Sequence, residues 1–528
     1  MSARPFPTVR RGLGLCAWAC AGLSPAVAQE IELFAQPARW RTTLEYVDAD
    51  GPDTTLWGVH FDVLDFWTPL PGGYVGVGGF GGVLGERGGL FAGGTTFGWR
   101  KPLGESVGFD IGLFVGAGGD SEGSASLGSA GDGLFLRPHM VFEWYGEALD
   151  WRMGVSHIDT AGGDLGSTQL TLGFTIRDEF LLADRAFQEL ETLDLENFFD
   201  EDFALGSQLI ALWPSSRSET NANTELDEAL LLGAVGFERG LDAGWFSALQ
   251  VAGAIGGENG GFLAALAGLG HRWDWIGETV DFVMRGWLGA AGGGGVDTGG
   301  GLVARADLGL EFQFSPAWSA RVGAGYLGAV DGEFDGVLFE TGISWRPGAW
   351  SLPPEFDRGR LDSEGLYEED VHLDTWRFLV LHKSLSVGSD AIAGDFDDIQ
   401  LLGLGAEKPL TENIDLSLRA FGAWGGDAGG YHEGQIGVRY GLRAPNLLEE
   451  AGELSVAYHL GAVGGGPVEL DDGLSHQFSV GWRFEPRPGL WFLVEAATFD
   501  TSGPFDGETF GFGFAVDLAR PTAPRGDG

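Results

Sequence analysis

The chain lacks most of what a soluble enzyme is built on. Its two cysteines, Cys16 and Cys20, both fall in the first thirty residues. The remainder therefore has no thiolate nucleophile, no cysteine metal site and no disulfide framework. After those first residues no uninterrupted apolar run reaches the ~18 residues that a membrane helix needs, which argues against a helical membrane protein. Positive charge is scarce as well, with 31 Lys and Arg against 76 Asp and Glu. Nucleic acid and other polyanions are disfavoured as partners by that balance.

The opening segment explains where the cysteines sit. Arg4, Arg10 and Arg11 precede an apolar run centred on Leu13 to Leu23, and Ala26-Val27-Ala28 supplies a small-residue cleavage site. This is the layout of a secretory signal peptide over residues 1–28, cut before Gln29. Without its three arginines, 28 basic residues face 76 acidic ones, a net charge of −48.

What the chain has in excess is glycine, 92 of 528 residues against a usual share of ~7 %. Part of it is ordered by repetition. GERGGL at 85–90, GENGGF at 257–262 and GDAGGY at 426–431 recur at offsets of 172 and 169 residues. Arg100, Arg272 and Arg443 follow in FGWRKP, LGHR and YGLRAP at nearly the same period. A fixed period has to be settled before any motif is read, and here it makes the chain a triplication of a unit of about 170 residues.

Each unit reads as strands. From Val107 to Ala117 the odd positions are apolar (Val107, Phe109, Ile111, Leu113, Val115), while the even ones are Gly108, Asp110, Gly112, Phe114 and Gly116. Period two is the mark of a strand with two different faces. Eight such strands fit each unit, over residues 39–177, 204–346 and 375–518. Short connections such as TPLPGG alternate with long polar ones such as GDSEGSASLGSAGDG. Acidic linkers at 178–203 and 347–374 join the units, and a polar tail, 519–528, ends the chain. Phe180, Phe187, Leu190 and Leu193 would form one face of a short helix in the first linker.

Alternation by itself leaves the direction of the apolar face open. The opposite face carries glycine and a few charges rather than the dense Asp, Glu, Lys and Thr of a soluble surface. Tryptophans 67, 99, 144, 151, 273, 275, 318, 345, 482 and 491 cluster beside the short turns, where an interfacial aromatic girdle belongs. The fold expected is all-β, an antiparallel up-and-down transmembrane barrel in three repeats of eight strands. The long linkers favour three tandem eight-stranded barrels over one barrel of about 24 strands.

On these patterns the mature chain resembles the broad class of Gram-negative outer-membrane β-barrel proteins. The resemblance implies an outer-membrane location, with membrane lipid and the assembly machinery as partners. Such chains commonly end on an aromatic residue; here Phe510, Phe512 and Phe514 are followed by ARPTAPRGDG. The function implied is non-enzymatic, a pore or uptake channel or a structural or surface component. An outer-membrane lipid- or glycan-modifying enzyme and a soluble secreted β protein are the alternatives.

Individual motifs add little chemistry. Gly76-Val77-Gly78-Gly79-Phe80-Gly81 matches a dinucleotide fingerprint but falls inside a strand, without the helix that motif needs. Asp48, Asp50 and Asp53 space carboxylates as calcium prefers, yet without a bidentate glutamate at loop position twelve. Calcium is the one cofactor the residues suggest. Ser156, His157 and Asp159 suggest a hydrolase, but adjacent strand residues point to opposite faces and cannot act as nucleophile and base. Arg100, Arg272 and Arg443 share a face with Gly98, Gly270 and Gly441, taken as the lumen near the short-turn rim. Arg137, Arg305, Glu143 and Glu311 belong to the same inward set, and Glu143 and Glu311 are the natural partners of the aligned arginines. They are read as salt bridges holding the barrel closed, or else as a constriction that attracts anions.

Overall fold

The computed structural model describes residues 33–522, apart from 49–52, 66–70, 86–87, 121–132, 184–198, 352–371, 388–397, 444–451, 469–472 and several single loop positions. The leader lies outside that range. Strand β1 (Leu33–Val47) starts a series of eight antiparallel strands that ends with β8 (Gly166–Ala183). The first strand then pairs with the eighth, from Leu33 opposite Ala183 to Glu45 opposite Thr171. In the second unit β9 (Phe199–Pro214) closes on β16 (Asp335–Trp345). In the third, β18 (His372–Val387) closes on β25 (Asp506–Thr522) over its whole length. These are three separate barrels, and the single barrel of about 24 strands is overturned by the three closing ladders.

The strand ends reach further than the alternation suggested. β8 continues through Ala183, so Phe180 belongs to a strand and not to a helix; Phe187, Leu190 and Leu193 lie outside the described residues. Ala519–Thr522 of the expected tail extend β25, paired with Thr375–His372 of β18. Between the second and third barrels a short strand, β17 (Gly348–Ser351), pairs with Phe199–Asp202 at the start of β9. Ala183 of the first barrel also pairs with Ala519 of the third. The turn-side ends of all three barrels are thus stitched together by backbone hydrogen bonding.

Which face is apolar is now decided. Along β7 (Asp150–Thr160) the side chains of Arg152, Ser156 and Ile158 are buried inside, whereas Trp151, Met153 and Val155 stand exposed outside. The same sign holds in β25, where Phe510, Phe512 and Phe514 face outward, each roughly half exposed. A soluble barrel would hide these residues; this one shows them all round, as lipid requires. Trp144, Trp151, Trp273, Trp275 and Trp318 are exposed beside the short turns. Trp491 is the exception, turned inward to donate from Nε1 to Asp517 at 2.8 Å and to cover Arg377. Trp67 lies outside the described residues.

The loop-side half of each interior is mainly aromatic and aliphatic, with a buried Lys383–Glu433 pair among the rings of the third barrel. Phe80, Phe114 and Phe135 meet edge-on and stacked with centroids 5.2 to 5.9 Å apart in the first barrel. Phe262 and Phe334 do the same in the second, and Tyr431, Phe499 and Phe505 in the third. Inward glycines make room for these rings. A Cβ on Gly58 would lie 2.5 Å from the Phe80 ring. Small residues inside the barrel therefore answer large ones across it and do not leave a lumen.

The barrels also pack on one another in a closed cycle. β3 (Gly73–Gly85) of the first meets β13 (Val280–Gly292) of the second, and β11 (Trp245–Gly256) of the second meets β22 (Gly452–Gly464) of the third. β20 (Ile414–Gly425) of the third returns to β5 (Val107–Asp120) of the first. Each contact is the third strand of one barrel on the fifth of the next, the head-to-tail geometry that closes a threefold ring. Small residues let the backbones approach: a Cβ on Gly81 would lie 2.5 Å from that of Ala290, and one on Gly253 would lie 2.9 Å from that of Ala462. A Cβ on Gly422 would lie 3.0 Å from the Ala117 carbonyl.

The repeated hexamer sits at the same junctions. Its first and fifth glycines, Gly85 and Gly89, Gly257 and Gly261, Gly426 and Gly430, all have φ between 84° and 106°. That conformation costs glycine least. Gly88 also abuts the Gly299 carbonyl of the next barrel, and a Cβ on Gly261 would lie 2.8 Å from Gly465 N. The motif is a turn whose tip is in addition a contact between barrels.

Candidate functional site

The turn-side half of each interior is ionic, and the aligned arginines stand at its rim. In the first barrel Arg39 is fully buried and projects from β1 across the lumen. Its guanidinium reaches Asp62 at 2.8 Å, Asp110 at 2.7 Å and Glu143 at 3.0 Å. Arg152 pairs with the same Asp110 and Glu143 at 3.1 and 3.2 Å. Tyr74 lies under Arg39, with its ring 4.4 Å from the guanidinium carbon, and donates its hydroxyl proton to Asp110 at 2.8 Å. Higher up, Arg137 binds Glu45 through two nitrogens, and Ser156 and Gln169 donate to that carboxylate. A guanidinium suits such a place because it offers five donors in a fixed fork.

Arg100 is placed at the rim, partly exposed, with Nε 2.6 Å from Glu143 and a nitrogen 3.6 Å from Asp150. Arg272 does the same in the second barrel, 3.1 Å from Glu238 and 3.3 Å from Glu311, above the ring of Phe246. Arg443 ends its strand, and its side chain lies outside the described set. In its neighbourhood Arg439 binds Asp415 and Glu453. Arg305 in the second barrel bonds Gln250 at 2.8 Å and pairs with Asp307 at 3.1 Å and with Glu340.

The three networks are not copies of one another. In the first, one guanidinium, that of Arg39, bridges three carboxylates. The third inverts this, with buried Glu407 among four guanidiniums: Arg483 at 2.6 Å, Arg419 and Arg439 at 3.7 Å and Arg377 at 4.0 Å. In the first barrel Arg39, Arg41, Arg100, Arg137 and Arg152 face Glu45, Asp62, Asp110, Glu143 and Asp150. In the second, Arg272, Arg285, Arg305, Arg321 and Arg346 face Glu238, Asp281, Asp307, Glu311 and Glu340. Among the described residues these pairs balance five against five in both interiors, which therefore contribute little to the chain's net charge of −45. Buried charge is tolerated only when paired in this way.

Several of these residues went unread in the sequence, Arg39 and Glu407 above all. The signal for Arg39 was its parity: Arg39, Arg41, Thr43 and Glu45 alternate with outward Leu44 and Tyr46 along β1. Nothing local marked Glu407 as the centre of four arginines, because those come from four other strands.

The remaining candidates do not converge. Ser156 is buried inside and donates to Glu45 at 2.8 Å, whereas His157 is exposed outside with Nδ1 2.8 Å from Thr168 Oγ1. Asp48 and Asp53 are exposed, Asp53 accepting a 2.6 Å hydrogen bond from Tyr46, and Asp50 lies outside the described residues.

Closed antiparallel barrels with an apolar exterior, an aromatic rim and a paired ionic interior define the class: a transmembrane β-barrel of the outer-membrane type. No protein family and no curated protein sequence matches this chain. Among solved structures it is similar to the Pseudomonas aeruginosa protein OccK11 (OpdR), at 12% identity over 92% of this chain and 96% of that one, with a TM-score of 0.21. It is also similar to Pseudomonas aeruginosa OpdK crystallised with vanillate, at 10% identity over 93% and 99%, with a TM-score of 0.23. A de novo designed transmembrane β-barrel matches 27% of this chain over 94% of its own, at 12% identity and a TM-score of 0.19.

Proposed function

We propose that the protein is a non-enzymatic component of the Gram-negative outer membrane, a threefold set of barrels that is closed at rest and serves a structural or surface role. The observation that carries this reading is the burial of the inward charges. Arg39, Asp62, Asp110 and Glu143 are 0% exposed, and Arg41, Glu45 and Arg137 1%. A lumen wide enough for water would leave such side chains wetted. Eight strands enclose only enough space for side chains to fill, and here packed rings and paired charges fill it.

A non-enzymatic role is further supported by the split of Ser156 and His157 between two faces. The outer-membrane location is supported by the signal-peptide pattern expected over residues 1–28 together with the outward apolar band.

Reconstitution of the purified protein in planar bilayers tests the proposal. Heat-modifiable gel mobility and fractionation with outer membranes should show a folded membrane barrel, and the bilayers should carry no stepwise current. Stable single-channel steps from folded protein would establish an uptake channel instead.

A further inference from the structure

The three barrels touch through small residues near the loop side, yet their faces do not meet everywhere along the pseudo-threefold axis. A cavity of about 410 Å³ is left between them. It is walled by Trp57 and Phe91 of the first barrel, Leu249 and Leu263 of the second, and Leu402 and Leu404 of the third. All six stand on the outer, lipid-type faces of their strands. On the loop side the glycine tips join neighbouring barrels, Gly88 against Gly299 and Gly261 beside Gly465.

The space is also preserved by what the walls omit. Gly93 and Gly434 line the cavity, and a Cβ added to either would meet nothing within 4 Å. Their counterpart in the second barrel, at the period of the repeat, is Ala265, again a small residue on the wall. Three barrels whose inner faces are packed around bulky rings thus leave a void where they face one another.

Such a void has a definite preference. Water is poorly held where polar partners are few, and here the polar residues of the lining are Thr95, Gln250, His432 and Glu433 among mostly apolar ones. Leaving it empty forfeits dispersion contacts along every wall. The apolar matter present at that depth is hydrocarbon. A volume of about 410 Å³ has room for part of a hydrocarbon chain.

We infer that the axial cavity binds one acyl chain of a membrane phospholipid. This rests on the membrane reading given above and extends it from a surface to a site. The bound chain completes the packing of the threefold ring, which the Gly81, Gly253 and Gly422 contacts begin.

The test is lipid retention. The full-length protein would be extracted in mild detergent and exchanged extensively into lipid-free detergent. It would then be examined by native mass spectrometry and by fatty-acid analysis of an organic extract. One phospholipid per chain is expected to survive. Gly93→Leu with Gly434→Leu fills the cavity and should abolish that retention while heat-modifiable mobility persists. Gly286→Leu, at an outward glycine that also has nothing within 4 Å of a Cβ but lies off the cavity wall, should retain lipid like the parent. If the paired leucines prevent folding, Ala265→Val provides the same reading from the second barrel.

A folded parent without stoichiometric lipid would overturn the inference, as would equal retention by cavity and control variants. Detergent in place of lipid would overturn it too. Failure of the membrane reading would look different, because the parent protein would then not fractionate with membranes at all.

Discussion

Gly81 of the first barrel lies so close to Ala290 of the second that a Cβ on the glycine would come within 2.5 Å of the alanine's own. Gly253 with Ala462 and Gly422 with Ala117 repeat the relationship around the axis. A side chain at any of the three glycines must push two barrels apart. Gly81→Leu is expected to cost about 1–3 kcal/mol of overpacking, concentrated between barrels. Limited proteolysis in the linkers should therefore speed up while each barrel keeps its heat-modifiable, strand-rich state. Unchanged cleavage with the variant fully folded would contradict the contact.

Among the described residues Arg39 is the one cation paired with Asp62, Asp110 and Glu143 together. Its replacement by alanine leaves three buried carboxylates short of a partner, and removing one member of a buried pair typically costs about 3–5 kcal/mol. Arg177, half exposed at the rim and paired with Asp150 at 3.0 Å, should cost no more than about 1 kcal/mol when truncated. Urea midpoints for the two variants in the same detergent check the contrast. Equal midpoints would mean that the interior is solvated.

Glu407 is shared among Arg377, Arg419, Arg439 and Arg483, each of which also meets a second carboxylate, Asp415 for Arg377, Arg439 and Arg483 and Glu495 for Arg419. Glu407→Gln is expected to destabilise the third barrel markedly, and the loss should be partly recovered in the double variant Glu407→Gln, Arg483→Gln. Residues of one network couple by about 0.5–3 kcal/mol, so a double-mutant cycle in thermal denaturation should give a clearly non-additive result. Additive effects would show that the two charges do not meet.

Pro138 interrupts the wall of the first barrel. The ladder between β6 (Leu134–Trp144) and β7 passes from Leu136 opposite Asp159 directly to His139 opposite Ser156, leaving Arg137 and Pro138 unpaired. Proline has no N–H to offer a ladder. Pro138→Val supplies the donor on an outward position where a β-branched side chain meets lipid, and should stabilise by about 0.5–1.5 kcal/mol. Slower hydrogen exchange at residues 155–159 would accompany it. Faster exchange there would show that the interruption is imposed by something other than the proline.

Much of the architecture was legible residue by residue. The parity of Val107 to Val115 placed those side chains on one face and Asp110 on the other. GERGGL and its two echoes set the period and the order of strands within it. The paucity of polar residues opposite the apolar face gave the sign of the barrel, and the structure carries Arg152 and Ser156 inside with Trp151 and Val155 outside. These are local properties, since alternation is a consequence of strand geometry.

Closure and the interior networks were not local in that sense. Whether β8 returns to β1 or passes to the next unit depends on which backbone groups find partners, and every strand offers the same unpaired groups at its edge. Arg39 and Glu143 are 104 residues apart, and no pattern within either strand names the other. The sequence by itself thus determined the strands, their faces and their threefold repetition. Only the tertiary structure decided that each eight-strand unit closes on itself, fills its own interior with rings and paired charge, and leaves a cavity between barrels, because each of those outcomes is set by atoms brought together from distant strands.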